Sequence, residues 1–353
     1  MITERLRART PHSAAESIPR AAAIIRAGGL VAFPTETVYG LGANAFDAPA
    51  LARVFEAKGR PTFDPLIVHI ADRADLTHLF TEAALADPRI KLLADAFWPG
   101  ALTIVATARP EVPGLVRAGL DTVGVRLPRH ETALALIRAA GTPIAAPSAN
   151  RFGRLSPTTA DHVLEQLDGR IDAVLLGEAT EIGVESSVVA LDGGGPARLL
   201  RHGGIPLEDL ARILVDHGGI VTTAPTARPG TPLQAPGMTE SHYAPMVPLL
   251  LATTALPAGV TECALLASDR ATLTHLEALA AAAGVTVHAS VALSETLDPV
   301  AAAAHLFERL HELEAALIRR AAPAARIIAA PYPEGGLGSA IADRLRRAAA
   351  TPQ

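Results

Sequence analysis

The sequence predicts an α/β protein made of two unequal domains. Short runs of β-branched and aliphatic residues alternate with helical patterns on both sides of a proline-rich segment. The chain has 353 residues, which suits about two domains at roughly 150 residues each. Hydrophobic residues make up 49% and charged residues 19%, a globular composition that argues against disorder along the whole length.

The boundary between the domains is predicted at residues 222–245. Prolines alternate there with small polar residues and no amphipathic period can be drawn. We therefore predict a first domain at 1–221, a linker at 222–245 and a second domain at 246–353. A loop this long is an interdomain connection or a functional lid, and the sequence leaves both open. The prolines are Pro225, Pro229, Pro232, Pro236 and Pro245.

The first domain should contain a sizeable sheet, because many short strand patterns are separated by helical ones. Asp47 is placed to cap one helix, and Gly59 to end it. Ser156 and Pro157 predict the start of another helix, which would close at Gly169. The predicted strands cover residues 30–33, 66–70, 102–106, 123–127, 144–146, 173–176 and 187–191.

The second domain shows a regular alternation of strand and helix. Strands are predicted at 249–251, 263–266, 285–288 and 326–330. Helices are predicted from about Thr272 and Pro299, and a last one closes the chain. Strands that alternate with helices in this way indicate a small, parallel, Rossmann-like domain.

Charge and cysteine content narrow the possible functions. The 31 basic and 36 acidic side chains give a formal charge of −5, which disfavours a general nucleic-acid-binding protein. One cysteine, Cys263, excludes an intrachain disulfide and a multi-cysteine metal site. We expect a cytoplasmic protein without a signal peptide or membrane span, because the chain begins with polar residues and has no run of 18 apolar residues.

The segment from Gly40 to Ala45 fits the glycine pattern of dinucleotide-binding turns, but its context does not. That pattern requires its glycines to lie directly between a strand and a helix. Here Pro34–Thr37 intervenes after the strand, and the helix starts only near Asp47. The glycines are therefore interpreted as a tight turn.

Several polar residues follow strands or helices where they could bind an anion. Lys58 and Arg60 end a helix, which is also the ordinary place for cations near a helix dipole. Ser148 and Asn150 follow a strand and, with a helix starting at Ser156, form either a phosphate cradle or a plain helix cap.

Two strand residues add to these candidates. Arg126 lies on a strand, where its charge would be costly to bury without a carboxylate or phosphate partner. His69 shares a strand face with Ile67 and, taken alone, is a semi-buried histidine more often than a ligand.

Taken in order, a set of spaced motifs resembles the YrdC-like family from about residue 15 to 212. The remainder resembles the C-terminal part of the longer, two-domain members of that family, through His242–Pro245 and Gly335–Gly338. The motifs of the first part are Pro34-Thr35-Glu36-Thr37-Val38-Tyr39-Gly40-Leu41-Gly42, Lys58-Gly59-Arg60-Pro61, Phe97-Trp98-Pro99-Gly100, Ser148-Ala149-Asn150, Ser156-Pro157-Thr158-Thr159 and Glu185-Ser186-Ser187-Val188-Val189.

The resemblance implies a fold and an activity. The fold is a twisted, open, mixed sheet with helices, followed by a smaller Rossmann-like domain. The activity is synthesis of L-threonylcarbamoyladenylate from L-threonine, bicarbonate or CO2, and ATP, with release of pyrophosphate. This is the first step of threonylcarbamoyladenosine modification of tRNA, so the product would pass to the tRNA-modifying machinery, and any direct tRNA contact would be weak.

The resemblance also implies site residues and a cofactor. Lys58 and Arg60 would be catalytic. Asn150 would lie with Lys58 in the lining of the ATP site. Asp64 stands where the family often has asparagine. No side chains are expected to hold a metal on their own, and Mg2+ would enter on the ATP phosphates. L-Threonine would contact Thr37, His69, Arg126, the backbone of Ala146, and Ser186. ATP would contact Arg60, Asp64, Thr122, Ser148, Ser156, Arg201 and Tyr243.

One alternative stays open at this point. A YrdC-like fold could serve as an RNA-binding or ribosome-maturation module with a concave basic surface. The net charge of −5 and an aromatic content of only 3% weigh against it, because single-stranded RNA is bound by stacking on aromatic side chains.

Overall fold

The computed structural model describes residues 2–192, 194–222 and 232–350. The chain divides into two compact units. The first consists of the described parts of Met1–Phe152, Pro157–Glu181 and Glu185–Thr239, and the second of Gly153–Ser156, Ile182–Val184 and the described part of Glu240–Gln353. Residues 223–231 of the predicted linker lie outside the described residues.

The described part of the first unit contains a mixed sheet of eleven strands, as the α/β prediction required. Their spatial order is β1-β8-β2-β3-β7-β4-β6-β5-β9-β10-β11. The strands are β1 (Glu4–Arg7), β2 (Val31–Phe33), β3 (Gly40–Asn44), β4 (Ile67–His69), β5 (Leu102–Thr107), β6 (Thr122–Arg126), β7 (Ile144–Ala145), β8 (Ala173–Leu176), β9 (Ser187–Ala190), β10 (Ala197–Arg201) and β11 (Ile220–Thr222).

Helices connect these strands and cover both faces of the sheet. The α-helices are α1 (Pro11–Arg26), α2 (Ala48–Lys58), α3 (Leu76–Leu79), α4 (Glu82–Leu85), α5 (Pro88–Phe97), α6 (Gly114–Arg117), α7 (Glu131–Ala140), α8 (Ala160–Leu167) and α9 (Leu207–Leu214). Two 3-10 turns lie at Arg73–Asp75 and Val215–His217.

Alternation along β2 shows how the sheet separates two cores. Val31 and Phe33 are buried among side chains of α1 and α7. Ala32 is buried with side chains of α2 and α8. Because successive strand residues point to opposite faces, these helices lie on opposite sides of the sheet.

Helix α2 begins and ends as the sequence predicts. Asp47 Oδ1 accepts a hydrogen bond from the Ala50 N–H at 3.1 Å. Gly59 has a φ of 62°, a left-handed conformation that glycine adopts without steric cost. This ending places Lys58 in the last turn and turns the chain toward Arg60.

The predicted helix start at Ser156 is wrong. Helix α8 begins at Ala160, and Thr159 is its cap, accepting from the His162 N–H at 3.3 Å. The intervening carbonyl groups are already used, because Pro157 O accepts from the Tyr39 N–H and Thr158 O from the Thr180 N–H. Residues 157 and 158 are thereby held in an extended path, and the helix starts later.

The predicted turn at Gly40–Gly42 is also wrong, because these residues belong to strand β3. A Cβ atom on Gly42 would lie 2.7 Å from both Phe33 Cε1 and Ile144 Cγ2. Each neighbour belongs to a strand that pairs with β3. The glycines therefore allow close packing within the sheet rather than a turn.

The second unit contains a smaller sheet, and the Rossmann-like prediction is confirmed. Its strands are all parallel in the order β12-β15-β13-β14. They are β12 (Leu249–Leu251), β13 (Glu262–Ala267), β14 (Thr286–Ala292) and β15 (Arg326–Ala329), and the helices are α10 (Arg270–Ala282), α11 (Pro299–Arg319) and α12 (Gly338–Ala349). Among the helices of the described residues, none has the length and apolar character needed to cross a membrane.

Candidate functional site

The candidate site of the first unit is built where neighbouring strands of the sheet end. Strand pairing sets His69 of β4 directly beside Arg126 of β6 and beside Ile144 of β7. The chain leaving β7 then runs through Ala146 to Ser148, which forms a bridge with Gly40 of β3. The residues predicted to contact L-threonine therefore come from adjacent strands or from the chain just after one, namely His69, Arg126 and Ala146.

Arg126 is buried, with 4% of its side chain exposed, and its charge is compensated within the unit. Nη2 lies 2.8 Å from Glu36 Oε2 in an ion pair whose angles fall outside hydrogen-bonding geometry. Nη1 donates to Thr37 Oγ1 at 2.8 Å, and Nε donates to Gly100 O at 3.1 Å. The anion that a buried arginine requires is thus supplied by Glu36, a residue not predicted for the site.

Thr37 lies in a directed chain of hydroxyl groups. Thr35 Oγ1 donates to Val38 O at 2.7 Å, so the hydroxyl contact of 2.8 Å between Thr35 and Thr37 is donated by Thr37. Thr37 Oγ1 accepts from Arg126 in turn. Because the Thr37 hydroxyl hydrogen is already donated to Thr35, Thr37 Oγ1 can bind a substrate only as a hydrogen-bond acceptor.

His69 is buried and neutral. Burial, reinforced by the neighbouring Arg126 charge, lowers its pKa to about 3. Its Nδ1 lies 3.2 Å from Ile67 O, and because a carbonyl oxygen only accepts, this nitrogen carries the proton of the neutral ring. Nε2 is then the unprotonated nitrogen, able to accept a hydrogen bond from a substrate.

Lys58 lies at the end of α2 and is 2% exposed. Its Nζ donates to Ser148 O at 2.6 Å and to Asn150 O at 2.5 Å. Burial lowers the pKa of Lys58, the Arg60 charge lowers it further, and Asp64 opposes both effects. Lys58 therefore ties the loop after β7 to α2 and lies within the field of Arg60.

Arg60 and Asp64 form a second buried ion pair. Arg60 Nη2 lies 2.8 Å from Asp64 Oδ1, and the side chains are 3% and 0% exposed. Arg60 also donates to Asp64 O at 3.1 Å and to Pro65 O at 2.8 Å. Burial raises the pKa of Asp64, while the charges of Arg60, Lys58 and Arg201 act in the opposite direction.

Arg201 of β10 interacts with both parts of the site. It contacts Ser186, which is predicted to bind threonine, and its charge acts on Asp64 of the Arg60–Asp64 ion pair. It donates from Nε and Nη2 to Ser186 O at 3.1 and 2.9 Å, and from Nη2 to Ser186 Oγ at 3.1 Å. Its Nη1 donates to Pro236 O at 3.0 Å, so the described end of the predicted linker is anchored to this arginine. Leu233, Ala235 and Met238 of the same stretch pack on the sheet of the first unit.

The remaining predicted residues are placed as follows. Thr122 begins β6 and is partly exposed, as is Ser148. The Ala146 N–H donates to Ile67 O at 2.9 Å. Ser156 and Tyr243 belong to the second unit, where Ser156 O lies 3.3 Å from His311 Nε2 and the Tyr243 ring packs on Phe307.

Two residues of the site, Glu36 and Thr103, were not predicted from the sequence. Glu36 stands inside the quoted Pro34–Gly42 motif, and its polar neighbours hid it, because an acidic residue in a loop is usually solvated. Thr103 of β5 shares a hydrogen bond of 2.8 Å with Ser186 Oγ. A charged residue between two threonines just after a buried strand was the signal that could have found Glu36.

No cluster of three or more metal-ligating side chains occurs among the described residues. Asp64 is a buried acidic side chain, and three cationic side chains act on it. A carboxylate so compensated is a poor ligand for a further cation.

Comparison with known proteins assigns both parts of the chain. A family model described as "Telomere recombination", which groups Sua5, YciO and YrdC, matches residues 23–203. A second model, described as "Threonylcarbamoyl-AMP synthase, C-terminal domain", matches residues 205–350.

Curated relatives agree with these matches. A Pyrococcus abyssi protein named threonylcarbamoyl-AMP synthase is 48% identical over 238 residues, which cover 65% of this chain and 66% of the relative. A Bacillus subtilis protein of the same name is 47% identical over 235 residues, covering 66% of each. The alignments thus span slightly less than two thirds of either relative's length.

A solved structure extends the similarity over nearly the whole chain. The crystal structure of Pyrococcus abyssi Sua5 complexed with L-threonine matches with a TM-score of 0.82 and 38% identity. The match covers 99% of this chain and 98% of that one. The chain therefore belongs to the Sua5, YciO and YrdC family.

Proposed function

We propose that this chain is an enzyme that makes L-threonylcarbamoyladenylate from L-threonine, bicarbonate or CO2, and ATP, and releases pyrophosphate. The observation that carries the proposal is the buried Arg126. Three of its nitrogen atoms have partners in Glu36, Thr37 and Gly100, and five N–H groups are available on a guanidinium. Because the Glu36 contact lies outside hydrogen-bonding geometry, at least one N–H on each terminal nitrogen remains to bind a substrate carboxylate in the bidentate manner of arginine.

The relatives support this assignment independently of Arg126. Two curated relatives bear the name threonylcarbamoyl-AMP synthase, and the similar crystal structure was solved with L-threonine bound. In the proposed site, the carboxylate of L-threonine binds Arg126, and Thr37 Oγ1 and His69 Nε2 accept from its amine or hydroxyl group. Ser186 and the backbone of Ala146 complete the contacts.

The chemistry joins two anions, so the site must offset their repulsion. The neutral amine of threonine attacks CO2, forms a C–N bond and loses a proton, which gives a carbamate. A carbamate oxygen then attacks the α-phosphorus of ATP, and the bond to pyrophosphate breaks. Lys58, Arg60 and Arg201 would stabilise the charge that develops on the phosphates, and positioning would supply the rest.

Magnesium is proposed to enter with ATP. The triphosphate offers hard oxygen ligands of the kind that Mg2+ prefers, and the ion would neutralise part of their charge. Thr122, Ser148, Asp64, Ser156 and Tyr243 are the remaining residues proposed to contact ATP. The product would then be consumed by a threonylcarbamoyl transfer to tRNA, which is likewise a proposal.

The direct test measures pyrophosphate release with ATP, L-threonine and bicarbonate, each omitted in turn. We expect release only with all three, and mass spectrometry should detect the mixed anhydride. Arg126→Ala should lose at least about tenfold in kcat/KM for threonine, since a hydrogen bond to a charged group contributes roughly 1.5 to 3 kcal/mol. Turnover that does not depend on threonine would overturn the assignment.

A further inference from the structure

Glu36 is a buried acidic side chain that the reaction as proposed does not use. It is fully buried and lies in the loop between β2 and β3. Oε2 faces Arg126 Nη2 at 2.8 Å, and Oε1 accepts from the Arg129 N–H at 2.9 Å. Each oxygen thus has its own partner: Arg126 is the last residue of β6, and Arg129 lies on the chain that leaves this strand.

The two contacts fix the position of the carboxylate. Arg129 contributes a backbone N–H, which cannot rotate away as a side chain can. The pKa of Glu36 lies below its usual range: burial alone would raise it, but the Arg126 charge and the hydrogen bond from Arg129 lower it by more. Glu36 therefore remains an anion at neutral pH.

A fixed anion in turn fixes the arginine beside it. Arg126 is held on three sides, by Glu36 at Nη2, by Thr37 at Nη1 and by Gly100 at Nε. Thr37 and Gly100 are neutral acceptors, and Glu36 is the one charged partner among the three. Removing it would leave a buried cation with two neutral acceptors, which favours reorientation toward any other acceptor.

We infer that Glu36 is a positioning residue that orients Arg126 for the carboxylate of the amino-acid substrate. This rests on the proposed function. Two effects compete here: Glu36 repels a second carboxylate, and it also holds the guanidinium in the geometry that binds one. Pre-organisation should prevail, because Glu36 has its own partner in Arg129, whereas a bidentate contact is lost when the guanidinium rotates.

The test compares two ligands that differ only at the carboxylate. L-Threoninol carries a hydroxymethyl group in its place, so a contact that acts on the carboxylate cannot affect it in the same way. Ligand-observed NMR titration gives the Kd of each ligand for wild type, Glu36→Gln and the control Glu181→Gln. Glu181 is exposed and pairs with the Arg129 side chain, so it matches Glu36 in type and neighbourhood but not in burial.

We expect Glu36→Gln to weaken L-threonine binding at least about tenfold, the loss typical of one charge-assisted contact. L-Threoninol binding should change less than about twofold, and Glu181→Gln should behave as wild type. A merely structural role would weaken both ligands equally and would overturn the inference. Tighter threonine binding by Glu36→Gln would overturn it too, since repulsion would then be the larger effect.

Glu36→Asp guards against a variant that does not fold. It retains the charge but is one methylene shorter, so it cannot reach Arg126 and the Arg129 N–H together in the same way. It should show the same selective loss for L-threonine to a smaller extent, with the wild-type circular dichroism spectrum. Equal Kd values for both ligands in wild type would refute the proposed function, whereas wild-type discrimination that survives in both variants would refute only the role of Glu36.

Discussion

The Asp64 carboxylate lies 2.8 Å from the Arg60 guanidinium, and the two side chains are almost completely buried. Neither oxygen of Asp64 receives a well-aligned hydrogen bond from the described residues. The contact is therefore an electrostatic one, between a catalytic candidate and an anion placed where ATP phosphates are proposed to bind. Asp64 would compete with those phosphates for the same cation.

This competition predicts that Asp64→Asn binds ATP more tightly. Two like charges in contact, about 4 Å apart, repel by roughly 4 kcal/mol at an effective dielectric constant of about 20, and the charges of Arg60, Lys58 and Arg201 offset part of this repulsion. We therefore expect the Kd for ATP to fall at least about fivefold at neutral pH, measured by calorimetry. Asparagine keeps the shape of the side chain, and Arg60 still donates to the backbone carbonyls of residue 64 and Pro65, so the orientation of the arginine is retained.

Two controls separate charge from orientation in this experiment. Asp64→Ala removes buried packing volume beside Arg60 as well as the charge and should bind ATP less tightly than Asp64→Asn. Asp95→Asn, in an exposed ion pair, should leave the Kd unchanged. Burial raises the pKa of Asp64, so acidification should protonate this carboxylate in the wild type. The difference in ATP affinity between wild type and Asp64→Asn should therefore shrink at lower pH. Weaker ATP binding by Asp64→Asn would contradict the argument.

His69 predicts how stability depends on pH. Its pKa falls from 6.5 to about 3 on folding, so between these values the unfolded chain binds one more proton than the folded one. His69 therefore does not reduce the free energy of unfolding above pH 6.5, and it reduces this energy progressively as the pH falls below that value. From pH 7 to pH 5, this one group should cost about 2 kcal/mol of the free energy of unfolding.

The variant His69→Gln lacks this titration. Urea denaturation at pH 7 and pH 5 should show that wild type loses about 2 kcal/mol more than the variant over that interval. The comparison cancels the other histidines, which are common to both proteins. Equal losses would mean that His69 takes up its proton as readily in the folded state as in the unfolded chain, and the lowered pKa would be refuted.

The sequence alone could predict the strands that are buried on both faces, and it failed where tertiary packing decides. Strand patterns at β5 and β8 and the caps of α2 are local properties of hydrophobicity and side-chain chemistry. Strand β3 has glycines instead of apolar side chains, and only the proximity of Phe33 explains them. The late start of α8 likewise depends on backbone bonds to Tyr39 and Thr180.

The candidate site, too, has features that the sequence predicts and features that depend on tertiary packing. That a buried Arg126 needs an anion follows from its place on a strand, but which anion depends on a residue 90 positions earlier in the chain. Sequence spacing cannot say that Glu36 folds back onto β6. The same holds for Arg201 and Ser186, which meet only because β10 pairs with β9.

Close packing at Gly42 predicts a stability effect. Gly42→Ala would place a methyl group 2.7 Å from atoms of Phe33 and Ile144, both buried in strands. Overpacking of this kind typically costs about 1–3 kcal/mol. Gly114→Ala is the matched control, because a methyl group there meets no atom within 4 Å. Thermal denaturation should show a lower Tm for Gly42→Ala alone, and equal Tm values would mean that β3 can shift within the sheet.

Tyr243 is a buried residue of the second unit with a left-handed backbone conformation. Its φ is 62°, its side chain is 1% exposed, and its ring lies 5.7 Å from that of Phe307. The Arg344 guanidinium lies 5.0 Å from the ring centroid, a cation–π contact. A strained, fully packed tyrosine indicates a position whose exact placement is maintained at some cost to stability.

Tyr243→Ala tests whether that placement serves nucleotide binding. We expect the Kd for ATP to rise at least about fivefold, as for loss of a contact that contributes roughly 1 kcal/mol, while L-threonine binding is retained. Tyr332→Ala is the control, because Tyr332 is another buried tyrosine of the second unit and should lose similar packing without a change in the Kd for ATP. If both variants weaken ATP binding equally, the effect comes from general destabilisation of the second unit. If neither does, Tyr243 is a packing residue, and its unusual backbone conformation requires an explanation other than nucleotide binding.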